Sequence, residues 1–179
     1  MSINNNNILK VSFCGITFDN PFCVSSSAVT NHAQMCINAY EAGWAGVVFK
    51  TLNLDDQFKI VVPSPRLNSY SYEDKSFIGL QNVEQISERP LKENLKDISL
   101  IKKNYPNKVL IVSIMGYKEE DWTLLAKMAE DAGADMIELN FSCPQMARSD
   151  AGHRVGQDYI MVNKFTEAAK KGTKLPVIA

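Results

Sequence analysis

Two distant segments of the chain close in the same way, and this repetition constrains the fold more than any other feature. Glu41-Ala42-Gly43-Trp44-Ala45-Gly46-Val47-Val48-Phe49-Lys50 parallels Asp131-Ala132-Gly133-Ala134-Asp135-Met136-Ile137-Glu138-Leu139-Asn140. In each, an acidic residue and Ala-Gly end a helical pattern, with the glycine where a helix terminates. An apolar strand follows and ends in a polar side chain, Lys50 or Asn140. Helix–glycine–strand units repeated along a chain bring successive strands in parallel, because each helix is the crossover between them.

The remaining pattern fits that architecture. Leu9 to Phe18 alternates and turns at Cys14-Gly15, a small hairpin; Phe22 to Ser25 reads as a short strand. Helices are expected over His32–Ala42, Pro90–Tyr105, Glu119–Ala132 and Asp158–Lys171. Strands are expected over Gly46–Phe49, Val109–Ile114, Met136–Leu139 and Pro176–Ala179. Asn53 to Gln85 is a long polar insertion containing Pro63 and Pro65, and loops of that length are usually functional. This gives four complete βα units and a fifth strand. A TIM barrel has eight strands and about 250 residues. The chain is therefore expected to be the N-terminal part of a larger (β/α)8 barrel, one incomplete domain over residues 1–179. A complete small open α/β sheet is the alternative. The Asn-rich start, residues 1–8, is expected to be a disordered tip and carries no signal-peptide pattern.

Composition narrows the partners. A formal net charge of −1 gives no electrostatic reason for nucleic acid or an anionic membrane. No apolar run approaches the ~20 residues that span a bilayer. The cysteines Cys14, Cys23, Cys36 and Cys143 include no CxxC pair, which disfavours iron–sulfur or zinc ligation. No metal site is expected, His32 and His153 having no partner spacing for one. The thiols are expected to be reduced and cytoplasmic, with Cys14, Cys23 and Cys36 as small buried apolar residues.

Cys143 stands apart. Met136 to Leu139 is a short strand that delivers Asn140, then Ser142, then a cysteine directly before Pro144. A residue preceding proline is biased away from helical geometry, so the thiol sits in a turn at the strand's end. Polar groups also collect at other predicted strand ends: Ser26, and Lys50 with Thr51. The insertion adds Gly79-Leu80-Gln81-Asn82. Converging groups from separate strands are what a site at a barrel's C-terminal face requires. Lys50 can neutralise an anionic ring or phosphate, and asparagines can both donate to and accept from a planar heterocycle.

Taken together, Asn20-Pro21-Phe22, Ala42-Gly43-Trp44, Lys50-Thr51, Pro65-Arg66, Gly79-Leu80-Gln81-Asn82 and Asn140-Phe141-Ser142-Cys143-Pro144 resemble the dihydroorotate dehydrogenase superfamily of FMN-containing TIM barrels. Ser142-Cys143-Pro144-Gln145-Met146, followed by Val155-Gly156-Gln157-Asp158, is similar to the FMN-carrying subunits of bacterial NAD-dependent dihydropyrimidine dehydrogenases. Dihydroorotate dehydrogenases usually have Asn after Ser-Cys-Pro, and Gln145 here counts against orotate. The resemblance implies FMN contacts from Ser26, Lys50, Thr51 and Asn140, pyrimidine contacts from Asn82, Asn140 and Ser142, and Cys143 as general acid/base. It also implies uracil or thymine as substrate, NAD chemistry through a partner flavoprotein subunit, and an oligomer. Iron–sulfur clusters of the full-length relatives are not encoded in these residues. On the barrel count, the 179-residue chain is expected to be colourless and association-prone without the later strands.

Three alternatives compete with that expectation. The first is a dihydroorotate dehydrogenase. The second is a lyase or aldolase barrel with Lys50 as Schiff-base nucleophile, which requires a desolvated amine. The third is a non-catalytic half-barrel.

Overall fold

The computed structural model describes residues 8–55, 57–58, 67–82, 84–144 and 151–179. Strands β1 (Val11–Phe13) and β2 (Ile16–Phe18) pair antiparallel. Their two-residue turn is Cys14-Gly15, with φ of 52° and 79°. Two successive positive φ values match the twist of a tight hairpin. The expected hairpin is therefore present, but Cys14 is exposed at its tip and not buried. Cys36 is fully buried, and desolvation with the nearby Asp97 pushes its thiol up to about 12. Cys23 is half-buried, with its thiol also raised by burial.

After the hairpin come β3 (Cys23–Val24), a 3-10 turn (Ala28–Thr30), α1 (Ala33–Glu41) and β4 (Gly46–Leu52). A second hairpin, β5 (Leu67–Ser71) and β6 (Phe77–Asn82), precedes α2 (Leu91–Asn104). Then follow β7 (Val109–Ile114), α3 (Glu119–Ala132), β8 (Met136–Leu139), α4 (His153–Gly156), α5 (Tyr159–Gly172) and β9 (Val177–Ile178). The main sheet has the order β3-β4-β7-β8-β9, and all four pairings are parallel. Neighbouring strands follow one another along the chain with a helix between each pair. This is the α/β pattern of consecutive units of a TIM barrel, with the expected four βα units and fifth strand.

The internal repeat is a repeat of geometry. Gly43 follows α1 at φ +96° and Gly133 follows α3 at φ +108°. Trp44 N–H donates to Ala39 O, and Ala134 N–H to Ala129 O. Each is a helix end closed through a left-handed residue that favours glycine, and each turns the chain directly into a strand.

One face of the sheet packs against the helices. Val47, Phe49, Leu110, Val112, Ile114, Ile137 and Leu139 meet α-helical residues such as Ile98, Trp122, Leu125 and Phe165 there. The opposite face carries Val48, Val109, Ile111 and Met136 at its N-terminal end, covered by Phe18 of the first hairpin. Farther along the same face the side chains turn polar, with Lys50, Ser113 and Glu138.

The structure also adds elements to the sequence reading: the β5–β6 hairpin within the insertion over 53–85, and the short helix α4 that His153 opens. Pro63, Pro65, Arg66, Gln145, Met146 and residues 1–7 of the tip lie outside the described residues.

Candidate active site

The C-terminal end of β4 is built around a bulge. Phe49 pairs with Val112 and Leu52 with Ile114, so β4 spends one extra residue between them. A bulge re-aims side chains at a barrel rim. Here it keeps Phe49 and Leu52 in the helix-facing core while both intervening polar residues escape that layer. Lys50 and Thr51 are each only 2% exposed.

A buried lysine needs a counter-charge. Lys50 Nζ forms an ion pair with Glu84 and lies 3.8 Å from Glu88 Oε2. The return of the insertion delivers these carboxylates. Asn82 Oδ1 accepts from the Glu84 N–H at 2.8 Å, a local turn that directs the chain off β6. Ser87 N–H then donates to Thr51 O at 2.9 Å, fastening the segment to the end of β4. Arg89 locks the same segment onto α2 through Asp97 at 2.6 Å.

Thr51 is the hub on the other side. Its Oγ1 lies 2.9 Å from Ser113 Oγ and 3.3 Å from Ser26 Oγ, and accepts from Asn140 Nδ2 at 2.9 Å. Asn140 Oδ1 in turn accepts from the backbone N–H of Ser142 and of Cys143, both at 3.2 Å. The asparagine thus staples the turn that carries the cysteine. Cys143 is 8% exposed, and its carbonyl accepts from the His153 N–H at 3.1 Å. Gly156 of α4 packs so closely on this segment that a Cβ there would lie 2.6 Å from Phe141 O.

All seven residues singled out from the sequence line one cavity of about 240 Å³: Ser26, Lys50, Thr51, Asn82, Asn140, Ser142 and Cys143. Glu84 lines it too. A neighbouring cavity of about 850 Å³ shares Ser26, Asn140 and Ser142 and adds Glu138, His153 and Gln157. Burial raises the Glu138 carboxyl above the usual range, with a hydrogen bond from Ser113 opposing that rise. Sequence reasoning missed Glu84, Ser113 and Glu138. For Ser113 and Glu138 the available signal was strand alternation, which puts Glu138 on the same face as Asn140. Glu84 had none, because its approach to Lys50 depends on the path of the insertion.

Among the described residues, no group of three or more His, Cys, Asp or Glu is placed to hold a metal ion. No helix among them is long and apolar enough to cross a membrane.

Known proteins are similar to this chain over nearly its whole length. A family model described as dihydroorotate dehydrogenase matches residues 8–179. The chain is 50% identical over 171 residues to the NAD-dependent dihydropyrimidine dehydrogenase subunit PreA of Escherichia coli (strain K12), covering 96% of this chain and 41% of that protein. It is 34% identical over 178 residues to the chloroplastic dihydropyrimidine dehydrogenase (NADP(+)) of Arabidopsis thaliana, covering 96% and 42%. It is 29% identical over 172 residues to the catalytic subunit of dihydroorotate dehydrogenase B (NAD(+)) of Thermoplasma volcanium, covering 96% and 53%. The chain therefore spans about half the length, or less, of these relatives.

Proposed function

The chain belongs to the dihydroorotate dehydrogenase family, and from that premise we propose that it carries the flavin and pyrimidine site of an NAD-dependent dihydropyrimidine dehydrogenase. The observation that supports this reading best is the convergence of Ser26, Lys50, Thr51, Asn82, Asn140, Ser142 and Cys143, from separate parts of the chain, on one cavity.

The donor set suits FMN. A buried ammonium, two hydroxyls and an amide, from Lys50, Ser26, Thr51 and Asn140, would hold FMN by facing the alternating donors and acceptors of its ring. The adjoining cavity of about 850 Å³ has the volume of a small-molecule site. When bound, FMN would supply the exchange of a hydride with the C5–C6 bond of the pyrimidine. Asn82, Asn140 and Ser142 orient the pyrimidine through its N–H and C=O groups. Cys143 gives up or takes back the proton at C5. A positioned thiol can serve as general acid or as general base in such a transfer. The Asn140 staple on the Cys143 backbone limits where the thiol can go, as proton transfer requires.

In this proposal the substrate is uracil or thymine, and NADH electrons arrive through a partner flavoprotein subunit in the cytoplasm. The Schiff-base reading of Lys50 has less support. Its ammonium is engaged by Glu84 and faces Glu88, whereas a carbonyl-trapping amine has to be free of such partners.

The test is Cys143→Ala in the full-length flavoprotein with its electron-transfer partner. Proton exchange at C5 is expected to fall by about 10²–10⁴-fold with flavin retained, the usual range for loss of an acid/base group. Turnover within about twofold of wild type contradicts the assignment.

A further inference from the structure

The cavity of about 240 Å³ that gathers Asn82, Asn140, Ser142 and Cys143 also holds an ion pair. Among the described residues, the charged side chains lining it are Lys50 and Glu84. The two are paired, and their side chains are only 3% and 9% exposed. Glu88 brings a second carboxylate to 3.8 Å from the same ammonium. Asn31 holds it there: Nδ2 donates to Glu88 Oε1 at 3.2 Å, while Asn31 Oδ1 accepts from Ser87 Oγ at 3.1 Å. Two carboxylates against one ammonium leave this cluster with a net negative charge. Burial makes the pairing hard to exchange. A ligand carboxylate that took Lys50 for itself would strand the Glu84 carboxylate, buried and without its cation. Lys50 can still donate to a neutral carbonyl oxygen, since an ammonium has three N–H groups.

We propose that Glu84, with Glu88 behind it, is a specificity-determining residue: it cancels the Lys50 charge inside this cavity, so that the site takes neutral pyrimidines and turns away ring carboxylates. This rests on the function proposed above and deepens it, because it assigns the choice between uracil and orotate to a charge. Orotate differs from uracil by a carboxylate on C6, beside the C5 position that Cys143 serves. A ring held by Asn82, Asn140 and Ser142 within reach of Cys143 brings that carboxylate into the cavity that Glu84 lines. A lysine without a partner would reward it with an ion pair. Lys50 is already held by Glu84, and Glu88 adds repulsion from behind. Specificity then comes from an element set against the wrong ligand as well as from contacts to the right one. The carbonyl groups of uracil and thymine carry no charge and meet no such penalty.

The experiment titrates uracil, orotate and the carboxamide of orotate into the full-length flavoprotein by calorimetry, with wild type, Glu84→Gln and Glu88→Gln. The carboxamide has the shape of orotate without its charge, so the ratio of the two dissociation constants reads charge and not size. Wild type is expected to bind the carboxamide at least about tenfold more tightly than orotate. Glu84→Gln keeps the size of the side chain and lets Lys50 meet a carboxylate. It is expected to lower the ratio by about tenfold or more, through a gain in orotate binding. Glu88→Gln, at a partly exposed position, is expected to lower it by about threefold. Equal dissociation constants for orotate and its carboxamide in wild type overturn the proposal. So does a Glu84→Gln variant that gains no orotate binding. If Glu84→Gln does not fold, an unchanged ratio in Glu88→Gln overturns it instead. Uracil separates this inference from the functional reading. A wild type that does not bind uracil contradicts that reading, and the response of orotate to Glu84→Gln still decides the charge assignment.

Discussion

The two faces of the parallel sheet are built from alternate residues of the same strands, and they divide the labour. The helix-facing side is apolar from end to end, with Phe49, Leu52, Val112, Ile114 and Leu139 all buried. The other side is apolar only where the first hairpin covers it and becomes a polar network toward the strand ends. The contrast teaches that stability and chemistry are separated by strand periodicity. One residue's shift along β4 takes the chain from Phe49 in the core to Lys50 in the site.

The largest expected effect tests the apolar face. Phe49→Ala removes a side chain with no exposed surface and is expected to cost about 3–5 kcal/mol. Chemical denaturation measures it, and a loss under about 1 kcal/mol would break the proposed division.

A smaller effect sharpens the comparison from the polar face. Lys50→Met removes the cation from Glu84 and Glu88. Flavin retention in the full-length protein is expected to fall by about tenfold or more, the scale of one charge-assisted contact. A loss of stability is expected as well, because the Glu84 carboxylate, with its side chain only 9% exposed, is left without this cation. Normal flavin content would show that Lys50 serves folding alone.

The smallest effect lies at the outer edge of the helix layer. Glu130 accepts from Thr173 Oγ1 at 2.6 Å and from the Lys174 N–H at 2.9 Å, and these bonds hold its carboxyl below the usual range. A depressed folded-state pKa means that the contribution is complete above the unfolded value, about 4.3, and fades as pH falls below it. Glu130→Gln is expected to flatten that acid-side loss by under about 1 kcal/mol, since the group is solvent-screened. Thermal melts taken downward from about pH 6 check the sign.

Much of this architecture can be read from the residues. The core strand Val109–Ile114 and the helix Glu119–Ala132 have the predicted bounds, because apolar periodicity and a terminating glycine act locally. The β5–β6 hairpin is not legible in the same way. Its connection runs through Glu73 and Asp74 and places Lys75 at φ +67°, where a glycine would have signalled the turn. Tyr70, Tyr72, Phe77, Ile78 and Leu80 are each more than half exposed there, so no buried stripe marks the strands. In the site, Cys143, Asn140 and Lys50 stand out because each polar residue ends or follows an apolar run. The bulge between Phe49 and Leu52, the Lys50–Glu84 pair and the Ser113–Glu138 register are long-range facts. They depend on which strands become neighbours, and residue spacing within one segment does not carry that information.

The central claim, that the polar strand ends of this sheet hold a flavin and a dihydropyrimidine-type ring, is tested most directly by anaerobic titration of the full-length flavoprotein. Flavin absorbance is followed while uracil, thymine or orotate is added. The account predicts a saturable spectral shift with uracil or thymine, weakened in Asn140→Ala, and no comparable shift with orotate. A saturable shift with orotate alone, or no shift with any of the three, would contradict it.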